Sequence, residues 1–458
     1  MENGSDDRDS DEVATNKILN DELLEQLMLR GVLPKSGFPA DIINLNVFNT
    51  KKDEDGRKIK LKHAPSYPTS AAITAYAPGA KKTINGKVYS SHGIYSFDDS
   101  ERRTMFHKRQ SLFRCESCGH IDIELSQDRD VERTCKICNA TTLPSKILIR
   151  PVGFAHARGE APESGFGKEA RSGTVQRKTR MNTPTDTQKI EGYENISYKK
   201  TRDKISFTNE GPGGLGFDYC KDCGRLEVST SSDNQLNESQ HIPPHPKVIN
   251  GRESCDSQEI ERNLFLGTEI LTDILFVNID FHNIGITLKP GETPTRVVLE
   301  TFAEAIARAA SEILQIDPSE ISAIYRHTKV QSLEDAGKSI ELILFDTIDN
   351  GAGYSISENL DLMKLITHAL SVLKKCEKDE ESNGCDSSCY GCLNSFGNKY
   401  RNSLFDRHLA IAFIESLLAK KLVNFKSSRI EQSNKIIQGD LERLEGFEVS
   451  INQIRSFP

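Results

Sequence analysis

The chain has 458 residues, with 59 Lys and Arg against 67 Asp and Glu (formal net charge −8), 36% hydrophobic residues and no Trp. That length suffices for two or three domains with cores of their own, while the low apolar content leaves part of it to linkers or metal-stapled loops. No apolar run approaches the roughly 20 residues of a membrane span and no signal-peptide pattern opens the chain, so a soluble cytoplasmic protein is expected; its 11 Cys then favour metal over disulfides, and its acidic balance keeps any DNA contact local.

Residues 1–15 are acidic, nearly free of apolar side chains, and read as a disordered tail. Leu19, Leu23, Leu24, Leu27 and Met28 recur at helical spacing, and Gly31 and Pro34 close that helix. From Ile43 to Tyr95 the pattern turns to strands, with Asp55-Gly56 and Asn85-Gly86 as hairpin turns and Ala77-Pro78-Gly79 as a type II turn. Residues 16–110 are therefore expected to form a helix followed by a β-hairpin region.

Cys115-x2-Cys118 and Cys135-x2-Cys138, with sixteen residues between them, predict a zinc ribbon over 111–150. Gly119 and Asn139 stand where a metal knuckle needs a permissive backbone. Arg102, Arg103, Lys108, Arg109 and Arg114 crowd its approach, as DNA contacts or as a plain solvated basic face. Residues 151–204 read as a basic linker or loop: 146–204 carry 13 Lys and Arg against 7 Asp and Glu, with Arg177, Lys178 and Arg180 as candidate phosphate contacts.

Gly211-Pro-Gly-Gly-Leu-Gly216 precedes Cys220 and not a helix, which excludes a dinucleotide loop. Cys220, Cys223 and Cys255 supply three thiols of a second zinc site within 205–264; its fourth ligand is a histidine, His245 in preference to His241.

Thr268–Phe281 reads as a long strand. Thr293 as N-cap and Pro294 at N1 open a helix whose buried stripe is Leu299, Phe302, Ile306, Ala309 or Ala310, and Ile313. Asp317-Pro-Ser-Glu320 repeats the helix-start signal. Ile340–Ile348, apolar on both faces, predicts a central buried strand. After the Gly351-Ala352-Gly353 turn, a helix with Leu360, Met363, Ile366, Leu370 and Leu373 delivers Cys376. Cys376, Cys385, Cys389 and Cys392 read C-x8-C-x3-C-x2-C and make one tetrahedral zinc site, with a redox pair Cys389-x2-Cys392 as the rival. A last helix, Leu404–Lys421, has Asp406 as N-cap and turns Leu409, Phe413 and Leu417 inward; 416–458 is a C-terminal helical extension.

These four cysteines, followed by Asn394, Tyr400, Asn402 and the L-x-D-R-H of 404–408, resemble the MrfA-type zinc-binding domain family. The turn Asp346-Thr-Ile-Asp-Asn350-Gly-Ala-Gly-Tyr354 is similar to that family's D-x-x-x-G-G-A-G-Y, with Asn350 where the family has Gly. The match is specific over about 265–415 and visible back to about 33, where Tyr76-Ala-Pro-Gly-Ala and Asn85–Ile94 resemble a segment between motor and zinc domain. The resemblance implies the C-terminal domain of superfamily 2 DNA helicases, or the helicase-partner subunit of the DISARM anti-phage system. In the helicases a motor comes first; here only a short tail does.

A motor needs G-x4-G-K-[ST] for triphosphate. The chain's one G-K-S, Gly337-Lys338-Ser339, has Ser332 in place of the first glycine, and no D-E-x-H box occurs. The expected fold is a mixed α+β, multi-domain protein containing a zinc ribbon and an α/β C-terminal zinc-binding domain over 265–415. Eleven Cys and one His make three sets of four, hence three Zn²⁺. The expected function is a non-catalytic accessory subunit that partners a separately encoded helicase and assists DNA binding in phage defence or DNA repair, with Arg407 a further candidate DNA contact. The alternatives are a metal-dependent nuclease built on Asp346, Asp406 and His408, against which Asp406 reads as a cap and Asp346 as a strand-end turn former, and a zinc-ribbon DNA-binding regulator.

Overall fold

The computed structural model describes residues 41–48, 61–115, 120–124, 133–135, 137–141, 145–156, 163–164, 176–180, 184–229, 236, 240–244, 254–328, 337–376, 385–395 and 397–423. The expected tail, first helix and Asp55-Gly56 hairpin lie outside them. In chain order the strands are β1 (Ile42–Phe48), β2 (Leu61–His63), β3 (Ser66–Pro68), β4 (Lys81–Ile84), β5 (Lys87–Ile94), β6 (Gln110–Arg114), β7 (Ile121–Glu124), β8 (Ser145–Ile149), β9 (Phe154–His156), β10 (Glu163–Ser164), β11 (Gln176–Arg180), β12 (Gln188–Ile190), β13 (Tyr193–Asn209), β14 (Phe217–Cys220), β15 (Leu226–Val228), β16 (Ile260–Asp280), β17 (Ile321–His327) and β18 (Ser339–Asp346). The helices are α1 (Thr69–Ala75), α2 (Asp99–His107), α3 (Thr293–Leu314), α4 (Leu362–Lys374) and α5 (Arg407–Ala419).

Among the described residues these strands form a seven-stranded and an eleven-stranded sheet. In the smaller one, β4 and β5 pair around Asn85 (φ 50°) and Gly86 (φ 73°), the left-handed pair that a tight hairpin turn requires. The larger one is built on β16, which runs antiparallel to β13 from Ile196↔Ile279 to Asn209↔Leu266. On its other side β16 meets β18, then β8 in parallel, then β14. Both faces of this sheet are covered, as the apolar run Leu342–Phe345 of β18 requires. One face (Leu275, Val277, Ile279, Ile340, Leu342, Leu344) packs on Leu299, Phe302 and Ile306 of α3, with α4 and α5 behind. The other (Phe207, Ile274, Phe276, Ile343, Phe345) packs on Ile73 of α1, on Tyr76 just after it, and on Leu45 and Phe154.

Three local readings are corrected. Residues 151–204 are not all linker: β11, β12 and the first half of β13 lie there, hydrogen-bonded into the large sheet. The stretch is poor in apolar residues because the first half of β13 is half-exposed. The helix-start signal at Asp317 instead makes a tight turn: the Asp317 carboxylate accepts from Ser319 N–H at 2.8 Å and from its hydroxyl at 2.6 Å, and the chain enters β17, drawn to the edge of β18. At α3 the N-cap is Glu292, without a side-chain capping bond, and Thr293 is the first helical residue.

Candidate metal centres

The described residues bring cysteines together in three places, each with ligand atoms within 4.8 Å of one another. A tetrahedron of about 2.3 Å zinc–sulfur bonds has S···S edges of about 3.8 Å, far longer than the roughly 2.05 Å of a disulfide. In the C-terminal tetrad Cys376 and Cys389 are 3.5 Å apart, and Cys385–Cys392 and Cys389–Cys392 are both 3.7 Å. The donor set and its spacing fit Zn²⁺. α4 delivers Cys376 from its end, and the N–H of Cys389 points at the Cys392 sulfur at 3.2 Å.

In the middle cluster Cys220 and Cys255 are 3.9 Å apart, and Cys223 lies 3.3 Å from Nε2 of His241, near the roughly 3.6 Å edge expected between a sulfur and an imidazole nitrogen on one zinc. His241 and Cys255 face each other in an antiparallel bridge, with paired backbone bonds of 2.9 and 2.8 Å. That places His241 as the fourth member, and the preferred His245 lies outside the described residues. The knuckle Cys220–Gly224 closes through Gly224 N–H on the Cys220 carbonyl at 2.9 Å, with Gly224 at φ 83°. The Cys223 thiol holds the Cys220 pKa down to about 4 by hydrogen bonding, while its own is driven up.

In the first cluster Cys115 and Cys138 are 3.4 Å apart with Cys135 beside them; Cys118 lies outside the described residues. Asn139 adopts φ 57° and donates to the Cys135 carbonyl at 3.0 Å, the permissive position its sequence suggested.

Arg102 and Arg407 depart from their expected role on DNA. Arg102 is 2% exposed and its guanidinium donates to the Tyr219 hydroxyl at 3.2 Å and to the carbonyls of Lys221 and Asp222, inside the middle knuckle. Arg407 is likewise 2% exposed and donates to the Cys385 carbonyl. Neither Arg102, in Glu101-Arg102-Arg103, nor Arg407, in Asp406-Arg407-His408, carries a sequence sign of burial. Arg103, 72% exposed, and Lys108 face solvent, and Arg109 lies over the Phe106 ring at 4.9 Å. Arg177, Lys178 and Arg180 lie on β11, which pairs with β13.

Asp346, Asp406 and His408 form no common ligand group among the described residues. Asp346 is fully buried at the end of β18 and accepts from the N–H groups of Ala352 (2.7 Å), Tyr354 (3.0 Å) and Ser355 (2.8 Å) and from the Ser355 hydroxyl. Its neighbour Asp273 accepts from Gly353 N–H at 3.0 Å and from Arg202 at 2.9 Å. Asn350 takes φ 68° ahead of Gly351 at φ 67°, a conformation Asn tolerates, so the departure from Gly keeps the turn. Asp406 caps α5 through the N–H groups of His408 and Leu409. The carbonyls of Gly337 and Lys338 accept from the N–H groups of Leu288 and Phe281 at 2.7 and 2.9 Å.

Residues 302–393, which include the whole C-terminal tetrad, match the family described as the MrfA Zn-binding domain. The chain is 28% identical over 466 aligned residues to Druantia protein DruE of Escherichia coli (strain UMEA 4076-1), covering 96% of this chain and 24% of that protein. It thus spans about a quarter of the length of that curated relative. Among solved structures it is similar to the DUF1998 helicase MrfA bound to DNA (TM-score 0.40, 10% identity, 86% of this chain and 39% of that one) and to the same helicase bound to DNA and AMPPNP (TM-score 0.30, 9% identity, 79% and 31%). No helix among the described residues is long and apolar enough to cross a membrane.

Proposed function

We propose that this chain is a zinc-stapled, non-catalytic module that works with a superfamily 2 helicase motor encoded as a separate partner and helps that motor hold DNA, in anti-phage defence or DNA repair. The observation that carries the reading is the match of residues 302–393, with the whole C-terminal cysteine tetrad, to the MrfA Zn-binding domain. In this reading three Zn²⁺ are held by Cys115, Cys118, Cys135 and Cys138; by Cys220, Cys223, His241 and Cys255; and by Cys376, Cys385, Cys389 and Cys392. Zinc supplies a cross-link: four protein ligands close each shell, leave no place for an activated water, and pin loops too polar to make a core. DNA contact falls to exposed cations such as Arg103 and Lys108.

The test is binding of the purified chain to a forked DNA duplex, alone and with the helicase encoded beside it, plus a cleavage assay with Mg²⁺ or Mn²⁺. The expected result is no cleavage and a tighter helicase–DNA complex in the presence of the chain. Metal-dependent cleavage by the chain alone, abolished in a folded Asp406→Asn, overturns the proposal.

A further inference from the structure

Among the described residues the buried arginines are Arg102, Arg225 and Arg407, and each adjoins a thiol cluster. Arg102 donates to carbonyls of the middle knuckle, and the Arg225 N–H points at the Cys223 sulfur at 3.4 Å. Both have a carboxylate partner: Asp99 at 3.2 Å for Arg102 and Glu227 at 2.7 Å for Arg225. Arg407 has none. No Asp or Glu among the described residues pairs with it, and its Nη1 is buried without any hydrogen-bond partner. Its Nε and Nη2 both go to the Cys385 carbonyl, at 3.1 and 2.8 Å, and its backbone N–H goes to Ser387 at 2.9 Å.

A guanidinium stays charged in any protein environment, and a buried charge without a counter-ion is strongly disfavoured. The missing negative charge is supplied by chemistry next door. Four thiolates on one Zn²⁺ carry a net charge of −2. The Cys385 carbonyl that Arg407 grips is separated from its own sulfur only by the C, Cα and Cβ atoms, so the two lie within about 5 Å of each other. We propose that Arg407 is the countercharge of the zinc-loaded tetrad: its fork fixes the Cys385 loop, and its charge offsets the excess negative charge of the four-thiolate centre. This rests on reading the tetrad as a zinc site. Cation and centre are then mutually dependent, since the metal is what gathers the four thiolates whose charge Arg407 offsets.

The experiment uses the full chain, zinc-loaded, in four forms: parent, Arg407→Gln, Arg407→Lys, and Arg401→Gln as a control at a cation that pairs instead with Glu300 and Glu304. Each is exposed to a zinc chelator and a thiol alkylating reagent, and mass spectrometry follows labelling of the Cys376–Cys392 and Cys220–Cys255 peptides separately. In Arg407→Gln the tetrad peptide is expected to lose protection about 10–100-fold faster, the usual cost of removing a group that supports a metal ligand. The Lys variant is expected to recover much of that protection, and the middle cluster and the control to keep the parent rate. Parent-like protection in Arg407→Gln overturns the proposal. So does equal loss in the Gln and Lys variants, folded or not, because the Cys385 clamp and not the charge is then what matters. Labelling of the parent tetrad at the rate of an unfolded thiol, with elemental analysis near two zinc per chain, refutes the metal reading itself and the countercharge with it.

Discussion

Replacing Asp346 by Asn separates a structural carboxylate from a catalytic one. Asp346 has no solvent exposure, and its two oxygens accept four bonds, three of them from backbone N–H groups of the 352–355 turn. Asn keeps one acceptor and turns the other into an NH₂ donor, so two bonds are lost and buried donors are left facing each other. With about 1.5–3 kcal/mol for each bond to a charged acceptor, the loss comes to about 4 kcal/mol. For a domain of 150–250 residues, about 2–4 °C per kcal/mol places the drop in melting temperature near 8–16 °C. Circular dichroism melting of the full chain at saturating zinc measures it, with cleavage of duplex DNA followed in parallel. An Asp346→Asn protein that melts within about 3 °C of the parent, less than one lost buried bond would give, refutes the reasoning.

Other perturbations probe neighbouring claims. A Cβ on Gly351 would sit 2.2 Å from Oδ2 of Asp273, whereas one on Gly353 meets nothing within 4 Å, although both have positive φ. Gly351→Ala is therefore expected to abolish soluble expression, and Gly353→Ala to cost only about 1–2 kcal/mol of strain in denaturant unfolding. Elemental analysis of protein purified without added metal is expected to give three zinc per chain, falling to two in Cys389→Ser with loss of protease resistance in the C-terminal domain. Burial, then the charges of Arg225 and His156, lower the His92 pKa to about 3. Between that value and the unfolded value near 6.5 the unfolded chain binds the extra proton, so this contribution to stability is complete above pH 6.5 and lost as pH falls, by up to about 1.4 kcal/mol per unit. Denaturant midpoints from pH 6.5 to 5 are expected to fall less steeply in His92→Gln than in the parent. With Ser332 where a P-loop has its first glycine, Lys338→Ala is expected to leave any ATP turnover in the preparation unchanged in a phosphate-release assay.

Much of the local structure was legible without coordinates, because short-range chemistry sets it. Asn85-Gly86 made its hairpin since both residues tolerate positive φ, and Asp406 capped its helix since a carboxylate one residue ahead of a helix accepts its unpaired N–H groups. The apolar run of β18 marked a strand covered on both faces, and the three cysteine groupings followed from ligand spacing. Only the tertiary structure decided what depends on contacts between distant segments. It placed His241 opposite Cys255, because an antiparallel bridge, and not sequence distance, aligns them. It drew the charge-rich stretch around β11 to β13 into the large sheet, because β16 offered an edge whose backbone bonds outweigh a weak apolar pattern. It turned Arg102 and Arg407 inward, because carbonyls of folded cysteine loops come to meet them, and a guanidinium's partners are decided by packing and not by the residues beside it in the chain.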